Sequence, residues 1–406
     1  MHRNLALFAL ALGGFAIGIT EFATMGVLPD IARDLLVGYE ERPQQVIAEA
    51  GTIISLYALG VVVGAPVIAI LCARMSLTML VRWSLVVLVA ATLASATMPG
   101  FAGVAAFRFA CGLPHGIYLG LAALLSARIL GPGNLGKGIA ISMAGLTIAN
   151  VVGVPLSTVL GQNFGWRWVY VLVAVLFAIT LLLVVLFVPK TPGDPTRTVR
   201  HEVAALRNPR VWLMIGTSAV GFGGFFAVYS YIADVTTREV GLSSSMVPWV
   251  TATLGLGMVV GNWLGGVIAD RDTTRAAIAG LILSACSFLL YWGFARTPVL
   301  LFVLVFVVST TTMLFGPALA SRLIRVSNGA DLLGAALNHA AGNMANSLGA
   351  WLGGIVIAAG LGYLAPGWLG AALAVGGLCL MGASLAVERR DKLRSRDTGG
   401  ISLPTT

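Results

Sequence analysis

Charged residues are scarce in this 406-residue chain: Asp, Glu, Lys and Arg together make up 10% of it, whereas 58% is hydrophobic. A soluble domain usually carries about 25% charged residues, and the mean hydropathy here is +0.93. This is too little charge to cover a water-exposed surface, which excludes a soluble globular protein and a nucleic-acid-binding module. The composition predicts an integral membrane protein. Its expected partner is the lipid bilayer, and no nucleic-acid partner is expected.

Cysteine and histidine are also rare, with four residues of each. The cysteines form no CxxC pair and the histidines form no HExxH motif, so the disulfide frameworks and zinc sites that such spacings build are not expected. We therefore predict no metal, no cofactor and no enzymatic activity. A membrane-embedded enzyme and a sensor protein are the alternatives from other functional classes.

Long hydrophobic runs are what the chain has instead. A helix that crosses a hydrocarbon core of ~30 Å needs about 20 apolar residues, and twelve stretches reach this length. We number them spans 1 to 12, near residues 5–28, 50–72, 79–98, 101–127, 137–160, 168–188, 211–233, 247–269, 276–294, 299–321, 334–358 and 367–387. The predicted fold class is an all-α membrane protein with twelve transmembrane helices.

The basic residues are distributed unevenly between the connecting loops. With the N-terminus inside, 19 of the 25 Lys and Arg residues fall on cytoplasmic segments or the cytoplasmic ends of spans, five fall on the opposite side, and only Arg108 lies well inside a span. This asymmetry follows the positive-inside rule. It predicts a multi-pass membrane protein with both termini in the cytoplasm.

The sequence also indicates two related halves. Gly60-Val-Val-Val-Gly64 in span 2 aligns with Gly257-Met-Val-Val-Gly261 in span 8, at an offset of 197 residues. Duplicated six-span halves place a binding site between them, near the bilayer midplane. The predicted organisation is a half over 1–189, a cytoplasmic linker over 190–210, a second half over 211–388 and a cytoplasmic tail over 389–406.

Four motifs lie in the spans or directly after them. They are Thr20-Glu21-Phe22 with Leu28-Pro29-Asp30-Ile31-Ala32 in span 1, Arg108-Phe-Ala-Cys-Gly112 in span 4, Gly145, Gly153 and Pro155 in span 5, and Gly265-Gly-Val-Ile-Ala-Asp270-Arg271 at the end of span 8. Together they resemble the major facilitator superfamily, and within it the twelve-span drug:proton antiporter branch of arabinose-efflux-like and phenicol-export permeases. The resemblance implies two pseudo-symmetric six-helix halves, a monomer in the bacterial cytoplasmic (inner) membrane, and the proton gradient as energy source. It assigns gating to Arg74, Asp270, Arg271, Gly145, Gly153 and Pro155.

Glu21 and Arg108 are the only acid and the only base placed well inside a span. Embedded charges are costly, so they are functional by default or else paired. Both lie about seven residues from the outer ends of spans 1 and 4, roughly 10 Å deep, so their side chains can meet. Two interpretations stay open: proton coupling by Glu21, Arg108 and Asp30, or a static Glu21–Arg108 ion pair with Asp30 as a rim acid. His115, on nearly the same face as Arg108, is either a proton relay or a packing hydrogen-bonder.

Polar and aromatic residues cluster on spans 7, 8 and 11. The residues predicted to bind the substrate are Phe222, Phe225, Phe226, Tyr229 and Tyr231 on span 7, Asn262 on span 8, and Asn338, His339, Asn343 and Asn346 on span 11. Aromatic walls with a few polar groups suit a mostly apolar organic molecule. For each residue, packing or interhelical hydrogen bonding is the alternative.

The predicted function is that of a secondary active transporter with a small-molecule substrate. It exports an amphiphilic or drug-like compound across the cytoplasmic membrane, by proton antiport with alternating access. Efflux of a sugar or another polar metabolite is the alternative within transport. The aromatic residues of span 7 and the scarcity of embedded hydrogen-bonding charges count against that alternative.

Overall fold

The computed structural model describes residues 2–72, 74–132, 135–192, 207–326 and 331–397. Within these ranges the chain is almost entirely helical and has no β-strand. The side chain of Asp270, most of the predicted linker (193–206) and the end of the predicted tail (398–406) lie outside the described residues. The all-α fold class expected from the sequence is confirmed.

Each predicted span corresponds to one long helix or to two consecutive shorter ones, and the short helices Leu28–Leu35 and Ile232–Asp234 follow the membrane-spanning parts Arg3–Gly26 and Pro209–Ser230. The helices are His2–Gly26 and Leu28–Leu35 in span 1, Pro43–Ala50 and Thr52–Leu71 in span 2, Leu77–Thr97 in span 3, Phe101–Leu130 in span 4, Leu135–Ile148 and Val154–Phe164 in span 5, Trp166–Phe187 in span 6, Pro209–Ser230 and Ile232–Asp234 in span 7, Val247–Arg271 in span 8, Thr273–Phe294 in span 9, Pro298–Leu314 and Gly316–Val326 in span 10, Asp331–Ala358 in span 11, and Ala365–Asp397 in span 12. Several helices begin at a proline, as at Pro43, Pro209 and Pro298, because the first helical turn needs no N–H donor.

The count of twelve apolar spans is not confirmed in full. Among the described residues, eleven helices are long and apolar enough to cross a membrane, and the predicted span 334–358 is not one of them. The chain does form a helix there, Asp331–Ala358. It carries the polar residues Asn338, His339, Asn343 and Asn346, which lower its mean hydropathy.

Spans 2 and 4 pack closely in the first half, and spans 8 and 10 repeat the arrangement in the second. A Cβ atom on Gly60 would overlap the carbonyl oxygen of Phe109, and one on Gly257 would lie 2.7 Å from the carbonyl oxygen of Phe306. The offset of 197 residues relates both the glycines and the residues that they contact. The internal repeat seen in the sequence is thus also present in the helix packing.

The buried hydrophobic residues form three clusters. One lies within the first half, between Ala6 and Val188, and another within the second half, between Val211 and Met381. The third cluster combines residues of both halves and lies at the end of the bundle opposite the helix termini at His2 and Asp397, which we call the far end. There, span 2 packs on span 11 and span 5 on span 8. We call this contact surface between the halves the seam.

Candidate functional site

Glu21 lies in the part of span 1 that approaches the far end, and it faces the second half. Only 7% of the residue is exposed. Asn346 Nδ2 of span 11 donates a hydrogen bond to Glu21 Oε1 at 3.2 Å, and His115 Nε2 of span 4 lies 3.9 Å from Glu21 Oε2. One carboxylate therefore contacts helices of both halves.

Arg108 is also buried, but it binds the residue that precedes Glu21. Its two terminal nitrogens donate to the hydroxyl and to the carbonyl oxygen of Thr20, each at 2.8 Å. Its guanidinium lies 4.0 Å from the ring centre of Tyr57 and 5.3 Å from that of Tyr170, and such cation–π contacts contribute about 0.5–2 kcal/mol. The direct ion pair that equal depth allowed is not among the contacts of the described residues. Arg108 instead fixes the backbone beside the carboxylate.

His115 connects the Glu21 carboxylate to span 2. The Tyr57 hydroxyl and His115 Nδ1 are hydrogen-bonded at 2.8 Å, and the two rings lie 5.5 Å apart. Sequence reasoning missed Thr20, Tyr57 and Tyr170 as parts of this group. The available signal was a lone tyrosine in each of spans 2 and 6, and no local pattern indicates that both tyrosines face the same arginine.

Four aromatic rings close the seam beside Glu21. Phe22 of span 1 stacks on Tyr229 and Phe226 of span 7, with ring centroids 5.4 Å and 6.3 Å apart and interplanar angles of 16° and 12°. Phe225 meets the rings of Phe226 and Tyr229 edge-on. All four residues are buried. Three predicted substrate residues therefore lie next to the coupling candidate, and Phe22 is an aromatic partner that the sequence analysis placed only in a motif.

The remaining predicted residues of spans 7 and 11 have different roles. The Tyr231 hydroxyl donates to the Ala350 carbonyl oxygen at 2.7 Å, which ties span 7 to span 11. Asn343 Nδ2 donates to the His339 carbonyl oxygen of its own helix at 3.1 Å, while Asn338 and His339 are half-buried. Among the four polar residues Asn338, His339, Asn343 and Asn346 of span 11, Asn346 is the one that forms a hydrogen bond with Glu21.

Phe222 and Asn262 share a separate neighbourhood on spans 7, 8 and 10. Phe222 packs on Phe315, with ring centroids 4.4 Å apart. A Cβ atom on Gly316 would lie 3.4 Å from Phe222 Cζ and 3.7 Å from Asn262 Oδ1. Asn262 is exposed, so an aromatic ring and an amide adjoin open space at this position.

Span 5 carries three of the predicted gating residues around a single π turn, Ala149–Gly153. Pro155 follows this turn and lacks the N–H of a regular helix, and π turns inside helices are frequent at functional sites. Gly145 packs against the carbonyl oxygen of Ala11, and Gly153 packs against the side chain of Ile19. Ala11 and Ile19 both belong to span 1. The structure thus places the two glycines where spans 1 and 5 pack together, and the turn itself contacts span 8.

The other gating candidates lie at the end of the bundle that holds the termini. Arg74 and Arg271 are exposed there. Asp272, rather than a residue of the predicted motif, caps the next helix: its Oδ1 accepts hydrogen bonds from the backbone N–H groups of Thr274 and Arg275 at 2.9 Å and 3.0 Å. These backbone bonds lower the pKa of Asp272. A gating role for Arg74, Asp270 and Arg271 stays a prediction.

Asp30 belongs to a different neighbourhood from Glu21. It lies in the helix Leu28–Leu35 beyond the membrane span, with its Oδ1 3.4 Å from Arg33 Nη1. It lines an open depression of about 540 Å³ together with Asp34, Trp166 and Arg167. Partial burial raises the pKa of Asp30, and Arg33 opposes this change. These contacts favour the rim-acid interpretation over a place in the Glu21 group.

Comparison of the sequence with known proteins gives consistent matches. The profile described as Major Facilitator Superfamily matches residues 10–238. The chain is 31% identical to "Putative transporter AraJ" of Escherichia coli K12, covering 98% of each protein. It is 33% identical to "Inner membrane transport protein YdhP" of the same strain, over 94% of this chain and 95% of that one. It is also 29% identical to "Chloramphenicol resistance protein" of Streptomyces lividans, over 90% and 92% of the two chains.

Two solved structures share the fold. The D-xylose-proton symporter superposes with a TM-score of 0.73 at 15% identity, covering 94% of this chain and 97% of that one. A bacterial homologue of the human lysosomal transporter Spinster, in an inward-facing and unoccupied conformation, superposes with a TM-score of 0.69 at 17% identity, covering 95% and 96%. At these identities the likeness is one of fold.

Proposed function

The chain belongs to the Major Facilitator Superfamily, and we propose that it exports a small, mostly apolar organic compound in exchange for protons. Export crosses the bacterial cytoplasmic membrane, and the two halves expose the site alternately to either side. The distribution of Lys and Arg supports an orientation with both termini in the cytoplasm, so the far end faces outward. The proposed transporter acts as a monomer, with the proton gradient as its energy source and no cofactor.

The observation that carries the proposal is the position of Glu21 in the seam. Its carboxylate accepts the Asn346 hydrogen bond from the second half while it lies beside His115 of the first. Hydrogen bonds to a charged acceptor are roughly twice as strong as neutral ones. Protonation of Glu21 would therefore weaken a contact between the halves, which links proton binding to their relative movement.

Arg108 has a positioning role in this proposal. Its two bonds to Thr20 hold the backbone directly before Glu21, and Tyr57 connects it to His115. His115 either passes on the proton or only orients the carboxylate, and both roles agree with its 3.9 Å separation from Glu21 Oε2.

The surroundings of Glu21 favour an aromatic or amphiphilic cargo. Phe22, Phe226 and Tyr229 present stacked rings next to the carboxylate, and Phe222 with Asn262 offers a ring and an amide nearer the termini. Binding sites with apolar walls and few polar groups suit such molecules. The name of the Streptomyces lividans relative makes phenicols the first compounds to test.

Transport in everted membrane vesicles tests the proposal. With an imposed pH gradient, addition of a phenicol should cause proton movement in vesicles that contain the chain, and Glu21→Gln should abolish this movement. Glu49→Gln is the matched control, because Glu49 is exposed at the start of span 2. Unchanged coupling in Glu21→Gln would remove Glu21 as the proton carrier. Proton movement with sugars but not with phenicols or other aromatic compounds would favour the polar-metabolite alternative.

A further inference from the structure

Tyr39 joins the two halves at the far end, away from the Glu21 group. It follows the helix Leu28–Leu35 and is 4% exposed. Its ring lies between two guanidinium groups, with Arg33 Cζ 5.0 Å and Arg238 Cζ 4.6 Å from the ring centre. Arg33 belongs to the first half and Arg238 to the second, so this ring makes a cation–π contact across the seam.

Asp234 lies behind this contact, in the segment that follows the membrane-spanning helix Pro209–Ser230. It is completely buried, and Arg238 Nε lies 3.5 Å from its Oδ1. The titratable and charged side chains that face it are those of Arg238, Tyr39, Arg33, Tyr231 and Tyr363. Burial raises the pKa of Asp234 to about 7, and Arg238 opposes this increase. A buried carboxylate is thus covered by a side chain of the other half.

Opening of the far end would expose this carboxylate to water. Asp234 and Arg238 lie four residues apart on one segment and move together, whereas Tyr39 moves with the first half. In water, an aspartic acid has a pKa near 3.9. A group with a higher pKa in the closed arrangement than in the open one binds protons better when closed, so protons favour closure.

Arg238 also makes closure of the far end more favourable when Asp234 is protonated. It is shared between the Asp234 carboxylate and the Tyr39 ring. When Asp234 is ionised, the guanidinium is drawn towards its own segment. When Asp234 is protonated, that attraction is lost and the cation is free to favour the ring on the other half.

We propose that Asp234, Arg238 and Tyr39 form a proton-controlled latch at the far end, in which protonated Asp234 permits closure and ionised Asp234 favours opening. The proton binds and leaves on the same side, so the latch sets the balance between conformations without adding to the protons transported. The inference rests on the alternating access of the proposed function, but it does not depend on Glu21 or on the identity of the cargo.

Distance measurements between spin labels test the latch without any substrate. The labels replace Val37 in the first half and Leu361 in the second, which are exposed residues of far-end loops, after the four native cysteines are changed to serine. All measurements use a Glu21→Gln background, so that titration of Glu21 does not contribute. As the pH falls from 8 to 6, the ratio of short (closed) to long (open) distances should increase about tenfold, because this range spans the raised pKa.

Variants then assign the effect to Asp234. Asp234→Asn should make the ratio independent of pH, and Asp234→Glu should restore the dependence. Glu239→Gln is the matched control, since Glu239 lies on the same segment and pairs with Arg296 of its own half; it should keep the wild-type response. A tenfold response that persists in Asp234→Asn, or a ratio that is constant with pH when Asp234 is present, would overturn the latch. Neither result depends on whether the phenicol assay succeeds.

Discussion

Asp30 and Asp234 follow the membrane-spanning parts of spans 1 and 7, the first spans of the two halves, and their surroundings differ sharply. Each is followed within four residues by an arginine that pairs with it, Arg33 at 3.4 Å and Arg238 at 3.5 Å. The Asp30 side chain is 34% exposed, whereas that of Asp234 is 0% exposed. An acid with an arginine three or four residues later therefore gives a rim pair in one half and a buried pair in the other.

The two carboxyl groups differ in burial because the opposite half covers only one of them. Tyr39 of the first half covers Asp234, whereas Asp30 borders an open depression of its own half. A short sequence pattern can pair an acid with a nearby arginine, but it does not determine which chain segment packs on top of the pair. An acid becomes sensitive to movement between the halves only where the other half covers it.

The largest effect on Asp234 relative to Asp30 is expected when the seam is held open at spans 5 and 8. A Cβ atom on Gly255 would overlap the backbone carbonyl oxygen of Asn150, and overpacking of this kind costs about 1–3 kcal/mol. Gly255→Ala should reduce the closed population about tenfold and expose Asp234 while leaving Asp30 unchanged. Label distances between positions 37 and 361 measure the effect. Gly266→Ala on the same helix is the control, because nothing lies within 4 Å of its Cβ position; equal effects of both substitutions would contradict the prediction.

A smaller effect on the closed population is expected when the Tyr39 ring, which covers Asp234, is replaced by a smaller side chain. Tyr39→Leu removes the ring that both guanidiniums contact, at a cost of about 0.5–2 kcal/mol for the contact across the seam. The closed fraction, measured by the same distances, should fall about threefold to tenfold. Tyr39→Phe keeps the ring and should stay close to wild type. If Tyr39→Phe were as damaging as Tyr39→Leu, the hydroxyl rather than the ring would hold the seam.

Asp30→Asn should change little. Because Asp30 is a partly exposed rim acid, we expect phenicol-driven proton movement in everted vesicles to stay within about twofold of wild type, as is typical for surface pairs. Glu21→Gln, measured in parallel, should abolish it. A loss in Asp30→Asn as large as that in Glu21→Gln would restore Asp30 to the proton-coupling group predicted from the sequence.

The smallest effect concerns Asp34, which lies in the same depression as Asp30. Its carboxylate is bonded to Arg167, which lowers its pKa, so the pair stabilises the folded state at neutral pH and this contribution is lost as the pH falls below about 4. Both side chains are more than one third exposed, which limits the effect of Asp34→Asn to about 1 kcal/mol or less. Thermal unfolding of the purified protein should show a lower midpoint for Asp34→Asn at pH 7 and a smaller difference near pH 3. An equal difference at both pH values would assign the effect to the Trp166 hydrogen bond.

Much of the fold was predictable because membrane insertion acts on local composition. The helices follow the apolar stretches, and the paired glycines of spans 2 and 8 predicted a repeat that recurs in the packing. The helix Asp331–Ala358 has a lower mean hydropathy than the other spans because it carries polar residues that make contacts inside the protein. One of these contacts is the hydrogen bond from Asn346 to Glu21.

Several residues of the candidate site could be named from the sequence, but the side chains that they contact were harder to predict. Glu21, Arg108, Phe226, Tyr229 and Asn346 were named because charged groups, amides and clustered aromatic rings are conspicuous in an apolar span. Their partners were not foreseen, since hydrogen-bond geometry depends on helix rotation and depth to within about an ångström. Thr20, rather than Glu21, lies within reach of the Arg108 guanidinium.

Local composition is enough to predict that the chain is helical, which stretches are apolar, and which rare polar groups they contain, because burial in lipid penalises every unpaired charge and backbone group. Which of those groups meet depends on the tertiary packing. Asp30 and Asp234 look alike along the chain, and only the packing of Tyr39 across the seam buries one of them. The physical reason is that burial depends on contacts between residues nearly two hundred positions apart, which no local pattern encodes.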